Sequence, residues 1–142
     1  MSEQNVELHR RIHETFNARD LDALIAYCDP QVEFHSPFAA VGGLTIYRGH
    51  EGMWKWHQDL EEAWEGEIRV EPEAYFDLGE LTLAYLVLHA RGGQSRVETD
   101  MHLAQVATWR NGLMVSFKSH ADRQAALREL GVSQDALEPI AP

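Results

Sequence analysis

The chain has 142 residues, enough for one ordinary domain and too few for two, so 1–142 is read as a single unit. Hydrophobic residues make up 44% and charged residues 25%, a globular balance, and no apolar run approaches the roughly 20 residues of a membrane span. A net charge of −11 with no local cluster of Lys and Arg repels phosphate backbones and anionic membranes, so neither is expected as a partner.

The opening Met1-Ser2-Glu3-Gln4-Asn5 is polar and acidic, unlike a signal peptide or a basic transit sequence. The single cysteine, Cys28, ends the apolar run Leu24-Ile25-Ala26-Tyr27-Cys28. It reads as a small buried hydrophobe in a reducing compartment, which places the protein in the cytoplasm.

Leu8, Ile12 and Phe16 recur every four residues over 3–18, the spacing of an amphipathic helix. Asn17-Ala18-Arg19-Asp20 breaks it, and Asp20 is placed to cap a second short helix through about Tyr27. Asp29-Pro30 stops that helix, because proline disfavours helical geometry in the residue before it. From Gln31 to Ser36, Val32 and Phe34 alternate with Glu33 and His35, as in a strand. Pro37 to Gly49, containing Gly42-Gly43, reads as a loop. A third helix follows from about His50 to Trp64, with Met53, Trp56, Leu60 and Trp64 as its core stripe.

The rest is sheet. Between Glu67 and Leu78, Ile68, Val70, Ala74, Phe76 and Leu78 face one way, and Glu67, Arg69, Glu71, Glu73 and Asp77 the other. Gly79-Glu80 turns the chain into a strand from Leu81 to Arg91. Gly92-Gly93-Gln94-Ser95 turns it back into a strand from Arg96 to Trp109. Asn111-Gly112 is a strong two-residue hairpin signal, since both central residues of a type I′ turn need positive φ. A last strand runs from Leu113 to His120, and Asp122 caps a short helix ending near Gly131. Three helices, four to five antiparallel strands and a terminal helix predict an α+β fold with one curved sheet around the helices.

Four stretches carry a resemblance to a known family. They are Phe16 to Leu24 with Asp29-Pro30-Gln31-Val32-Glu33-Phe34; Tyr47-Arg48-Gly49-His50-Glu51-Gly52; Gln105 with Trp109-Arg110-Asn111-Gly112; and Asp122-Arg123-Gln124-Ala125-Ala126-Leu127. Together they resemble the SnoaL-like branch of the NTF2-like superfamily over nearly the whole chain. The resemblance implies a cystatin-like cone with a conical pocket for an apolar small molecule between helices and concave sheet. It also implies a homodimer through the convex sheet face. It leaves activity open, because such relatives include isomerases, cyclases, dehydratases, binding modules and oligomerisation domains.

In the family's enolising isomerases and polyketide cyclases, a carboxylate on the penultimate strand does acid or base work. The resemblance places Gln105 there. The isomerases' base falls at about Ser36, beside His35, and their phenolic donor at about Ile12. A glutamine can hydrogen-bond a carbonyl or hydroxyl but cannot take up a proton at neutral pH, so carboxylate-driven enolisation or cyclisation is not expected. His35 and Gln105 are the candidate catalytic residues, His35 because a pKa near neutrality suits acid–base work.

Symmetric pairing about Gly92-Gly93 sets Arg91 opposite Arg96. One face then carries Leu88 with Thr99, Leu86 with Met101, Ala84 with Leu103 and Thr82 with Gln105. The other face carries His89 with Glu98, Val87 with Asp100 and Tyr85 with His102, and a one-residue slip would exchange these roles. The first face predicts a pocket of Leu86, Leu88, Thr99, Met101, Leu103, Gln105 and Phe117, roofed by Trp56 and Leu60. Pairing about Asn111-Gly112 sets Gln105 near Lys118. It also gathers Asp100, His102, Lys118 and His120, either a dehydratase-like or hydrolytic pair or an ion-pair patch. His9 and His13 share a helix face at the spacing of zinc ligands, but no third ligand is evident, and exposed helix histidines are the plainer reading. No metal and no cofactor are expected; the lack of a Gly-rich phosphate loop before a helix disfavours nucleotide cofactors. The function predicted is small-molecule binding. An isomerase, dehydratase or epoxide hydrolase-like enzyme and a structural dimerisation module are the alternatives.

Overall fold

The computed structural model describes residues 3–36, 45–64, 67–91 and 98–142. In chain order these form α1 (Glu3–Asn17), α2 (Leu21–Ala26), β1 (Cys28–Ser36), β2 (Thr45–Arg48), α3 (Gly49–Trp64), β3 (Ile68–Leu78), β4 (Leu81–Arg91), β5 (Glu98–Arg110), β6 (Leu113–His120), α4 (Arg123–Leu130) and a 3₁₀ turn at Gln134–Ala136. The helix boundaries follow the capping chemistry. Asp20 accepts from the Ala23 backbone N–H at the start of α2, and Asp122 from that of Gln124 at the start of α4. Gly131 ends α4 in the left-handed conformation at φ 70°. Asn111 and Gly112 both have positive φ, 54° and 77°, as the tight hairpin requires.

The six strands lie in the order β2-β1-β6-β5-β4-β3, a mixed α+β arrangement with a curved open sheet. Two features differ from the sequence expectation. Residues 45–48, assigned to a loop, form an edge strand too short to show an alternation, while Gly42-Gly43 lies outside the described residues. And β1 runs parallel to β6, so the sheet is not wholly antiparallel. No hairpin joins these two strands; they meet only after β2 to β5 have been laid down, which leaves their relative direction free.

Registers decide which side chains face the helices. In β3 an irregularity between Pro72 and Ala74 reverses the alternation. Ile68 and Val70 pack inward, but beyond the bulge Tyr75 takes that side, and Ala74, Phe76 and Leu78 turn outward. The expected uniform face of β3 is therefore split. Between β4 and β5, Arg91 pairs with Glu98 and Leu88 with Met101, two residues further on than symmetric pairing about Gly92-Gly93. An opposed Arg91 and Glu98 form an ion pair, whereas Arg91 against Arg96 would oppose like charges. A shift of two keeps every side chain on its predicted face. In β5–β6 a bulge between Thr108 and Trp109 moves the register by one, so Gln105 pairs with Ser119 rather than Lys118.

The inner face carries the main core, with Val6, Ile12 and Phe16 from α1, Met53, Trp56 and Leu60 from α3, and the inward residues of β1 and β3–β6. The outer face has its own smaller cluster. There Phe76, Leu83, Ala104 and Val106 are covered by Ala126 and Leu127 of α4. Cys28 is 2% exposed, and burial pushes its thiol up to about 12, so it is inert as well as unpaired.

Candidate functional site

Between α1, α3 and the inner sheet face lies a cavity of about 50 Å³, room for a few water molecules. Its walls are apolar, with Ile12 and Phe16 from α1, Phe34 from β1, Trp56 and Leu60 from α3, and Leu88, Leu103, Met114 and Phe117 from the sheet. Rings do much of the filling. Phe34 lies 4.6 Å from Trp56 and stacks on Phe117 at 4.8 Å, centroid to centroid. Among the described residues the polar groups that reach the cavity are His13, Ser36, Gln105 and Ser119, with no carboxylate, Lys or Arg among them.

Of the residues predicted to line a pocket, Trp56, Leu60, Leu88, Leu103, Gln105 and Phe117 do so. Leu86 is fully buried in the core beside the cavity, Met101 packs half-buried against the core, and Thr99 sits half-exposed at the outer end of β5. All three point inward, but they lie outside the narrow space that the rings leave open. His35 is placed elsewhere. Alternation along β1 turns Phe34 and Ser36 inward and His35 outward, where its Nε2 lies 2.7 Å from Glu33 Oε1. It cannot reach a molecule in the cone.

The histidines of α1 supply what His35 does not. His9 and His13 are 0% and 3% exposed, contrary to the exposed reading, because they lie on the same helix face as Val6, Ile12 and Phe16. Sequence reasoning also missed Tyr75, which the β3 bulge carries to the inner face. The spacing signal for the histidines was present: His9 follows Val6 by three and His13 precedes Phe16 by three.

Two buried hydrogen-bonded chains result. In the first, Tyr75 Oη lies 2.6 Å from His13 Nδ1, and His13 Nε2 lies 2.6 Å from Gln105 Oε1. A carbonyl oxygen only accepts, so His13 carries its proton on Nε2 and Nδ1 accepts from the phenol. In the second, Trp109 Nε1–H donates to Thr82 Oγ1, which is also hydrogen-bonded to His9 Nδ1, 2.8 Å away. Among the described residues His9 Nε2 is left buried without a hydrogen-bond partner. Burial holds His9 well below the usual imidazole range, with repulsion from His13 adding to it and Gln105 partly offsetting both. Burial lowers His13 to about 4, again against Gln105, and raises the Tyr75 phenol. At neutral pH the whole assembly is uncharged.

The ionisable residues of the outer face do not converge. Asp100 Oδ1 binds His89 Nδ1 at 2.7 Å, and His89 Nε2 reaches Glu71 at 2.9 Å. Lys118 and His120 both approach Glu129 of α4, at 2.8 and 2.9 Å. His102 is exposed, 3.9 Å from Glu73. These are separate ion pairs on the outer face, away from the cone. Among the described residues no group of three His, Cys, Asp or Glu is arranged to hold a metal ion, and no helix is long and apolar enough to cross a membrane.

With this geometry in place, comparison with known proteins gives a consistent result. A family model described as a SnoaL-like domain matches residues 9–117. An NTF2-like protein of unknown function from Burkholderia pseudomallei K96243 superposes with a TM-score of 0.76 at 21% identity, over 88% of this chain and 95% of that one. TerC, co-crystallized with polyporic acid, gives 0.74 at 19% identity over 89% and 97%. SalBIII, described as an epoxide hydrolase/cyclase-like enzyme in pyran ring formation in salinomycin, gives 0.69 at 15% over 86% and 93%. At these identities the likeness is one of fold. A comparison with the curated proteins gives no match.

Proposed function

The chain belongs to the SnoaL-like domain family, and on that premise we propose that it holds a small, neutral, largely apolar molecule in its cone with Gln105 as the polar contact. The observation that carries this reading is the composition of the cavity wall. Four aromatic rings and a set of aliphatic side chains surround a few uncharged polar groups, the pattern of a ligand site rather than of a solvated cleft. The solved relatives named above that act on or were crystallised with organic molecules share the fold, and the proposal extends small-molecule binding from them to this chain.

Binding without turnover is the form of the proposal that the chemistry favours. Among the described residues no carboxylate lines the cavity, His35 is on the outer face, and both nitrogens of His13 are engaged within the protein. The lone buried thiol fits a reducing, cytoplasmic setting. A homodimer remains part of the reading, through whatever outer surface α4 leaves uncovered. The small volume supports a second reading, a structural module whose cone is filled by its own rings.

Thermal unfolding against a panel of small apolar ketones, esters and hydrocarbons separates the two readings. A ligand at one hundred times its dissociation constant adds about 2.7 kcal/mol and raises the midpoint by a few degrees. A hit that Gln105→Leu weakens supports the ligand site. No hits, with Gln105→Leu melting like the parent, favours the structural module.

A further inference from the structure

We infer that the Tyr75–His13 pair is a positioning device that locks the Gln105 amide with its NH₂ toward the cavity, so that the cone selects neutral molecules bearing an acceptor oxygen. This rests on the cone being a ligand site. An unrestrained glutamine offers a ligand either its oxygen or its nitrogen by turning its amide about the last side-chain torsion, and so selects neither donors nor acceptors. Here the choice is made by the protein. Among the described residues Tyr75 Oη has one hydrogen-bond partner, His13 Nδ1 at 2.6 Å, and a buried phenol that accepted from Nδ1 would leave its own proton unpaired, so the phenol donates there. That places the imidazole proton on Nε2, which donates to Gln105 Oε1 at 2.6 Å. With the oxygen committed, the nitrogen faces the other way.

That nitrogen is nearly free. Among the described residues its hydrogen-bond contact is Ser119 Oγ, at 3.5 Å, the outer limit of a hydrogen bond, and it has two hydrogens to place. Ser119 and Ser36 also line the cavity, and the Ser36 hydroxyl makes no hydrogen bond among the described residues. Donors on an uncharged apolar wall suit a carbonyl or ether oxygen on an apolar body. A carboxylate or an ammonium would be desolvated there with no counter-charge to meet it. A hydrocarbon of the same shape would leave the amide N–H unpaired.

The test uses a pair of probes of nearly identical shape, cyclopentanone and methylenecyclopentane, which differ in C=O against C=CH₂. Their dissociation constants are measured by NMR titration on the full chain, and the ketone-to-alkene affinity ratio is compared among variants. The parent should exceed Gln105→Leu in this ratio by about tenfold or more. In His13→Phe, which keeps Gln105 but frees its amide to turn, a ketone can still find the N–H, so the ratio should fall only a few-fold, whereas pyrrole, a ring of similar size that donates but does not accept, should gain about tenfold in affinity over the parent. Should His13→Phe fail to fold, Tyr75→Phe removes the proton that sets the tautomer and should lower the ratio in the same direction. Independently of any ligand, the imidazole nitrogen shifts of His13 should report a bare Nδ1 and a protonated Nε2.

The opposite tautomer, or a ratio unchanged in a folded His13→Phe or Tyr75→Phe, would overturn the lock. Binding of both probes with no ketone preference would overturn the selectivity while leaving the ligand site standing. Binding of neither probe to any folded form would remove the ligand site itself, and the inference with it.

Discussion

Thr82 is where one hydroxyl serves two neighbours. It accepts from Trp109 Nε1 at 2.9 Å and shares a hydrogen bond with His9 Nδ1 at 2.8 Å, at 0% exposure. Thr82→Val keeps the shape and removes the oxygen, leaving an indole N–H and an imidazole nitrogen buried and unpaired. Each such group costs about 1–3 kcal/mol, so the variant should lose roughly 2–4 kcal/mol in a urea titration with an unchanged slope. A loss below about 0.5 kcal/mol would mean that neither neighbour depends on it. At this scale the sequence was only partly legible. Gln105 could be placed because Asn111-Gly112 fixes the end of its strand and a two-residue loop leaves little freedom. His13 lies one residue from Ile12, a position that the family resemblance itself pointed to. Yet a histidine on a helix face is exposed far more often than buried, and only its three-dimensional partners, Tyr75 and Gln105, make burial affordable. Tyr75 was out of reach because a bulge, which leaves no mark in the alternation, decides its side.

Among the elements, α4 and the residues after it have the most distinctive placement. They follow the family-matched region 9–117 and lie on the outer sheet face, where Leu127 and Ala126 cover Phe76, Leu83, Ala104 and Val106. The tail then pairs Ile140 with Tyr75 at the free edge of β3, through bonds of 2.9 and 2.7 Å between their backbones. An open edge and an apolar outer face are both invitations to self-association, and this segment covers part of the face and pairs with the edge at Tyr75. A chain ending at Ala121 should therefore be less stable and should form larger assemblies in light scattering than the full chain does at the same concentration. A truncated chain with the parent's mass and midpoint would show that the segment is not a cover. The element boundaries were legible because they rest on local chemistry, namely Asp20, Asp122, Gly131 and Asn111-Gly112. The partners of the elements were less so. That β1 meets β6 in parallel depends on pairs more than 80 positions apart, and that α4 turns to the outer face on contacts some 20 to 50 positions apart. Such contacts carry no periodic signal.

For the whole molecule, two neutral histidines beneath the sheet make stability depend on pH in a definite direction. The folded His13 titrates at about 4, against 6.5 for the unfolded chain, and His9 is lowered as well. Below pH 6.5 the unfolded chain takes up protons that the folded one refuses, so stability is fully present above 6.5 and falls as the pH drops toward 4. A shift of 2.5 pH units corresponds to roughly 3 kcal/mol from His13 alone. Other groups act differently in the same range. His57, also lowered by burial, adds to the loss, whereas the stability His89 gains from Glu71 and Asp100 is already present below pH 6.5 and is lost only as the pH rises above it. Glu33, Asp59 and Glu129 are lowered by their partners and withdraw stability only as the pH falls through the carboxylate range. The window between pH 6.5 and 5 is therefore governed by histidines. Urea midpoints across that window should decline steadily in the parent. In His13→Phe the starting stability is lower, because Tyr75 and Gln105 lose their partner, but the slope should flatten by up to about 1.4 kcal/mol per pH unit, the value for one proton. The slope isolates the proton from the packing, since a lost contact lowers stability equally at every pH. Equal slopes in parent and variant would mean that His13 takes up its proton as readily in the fold as in the unfolded chain, so that the cavity wall would become charged as the pH falls below 6.5.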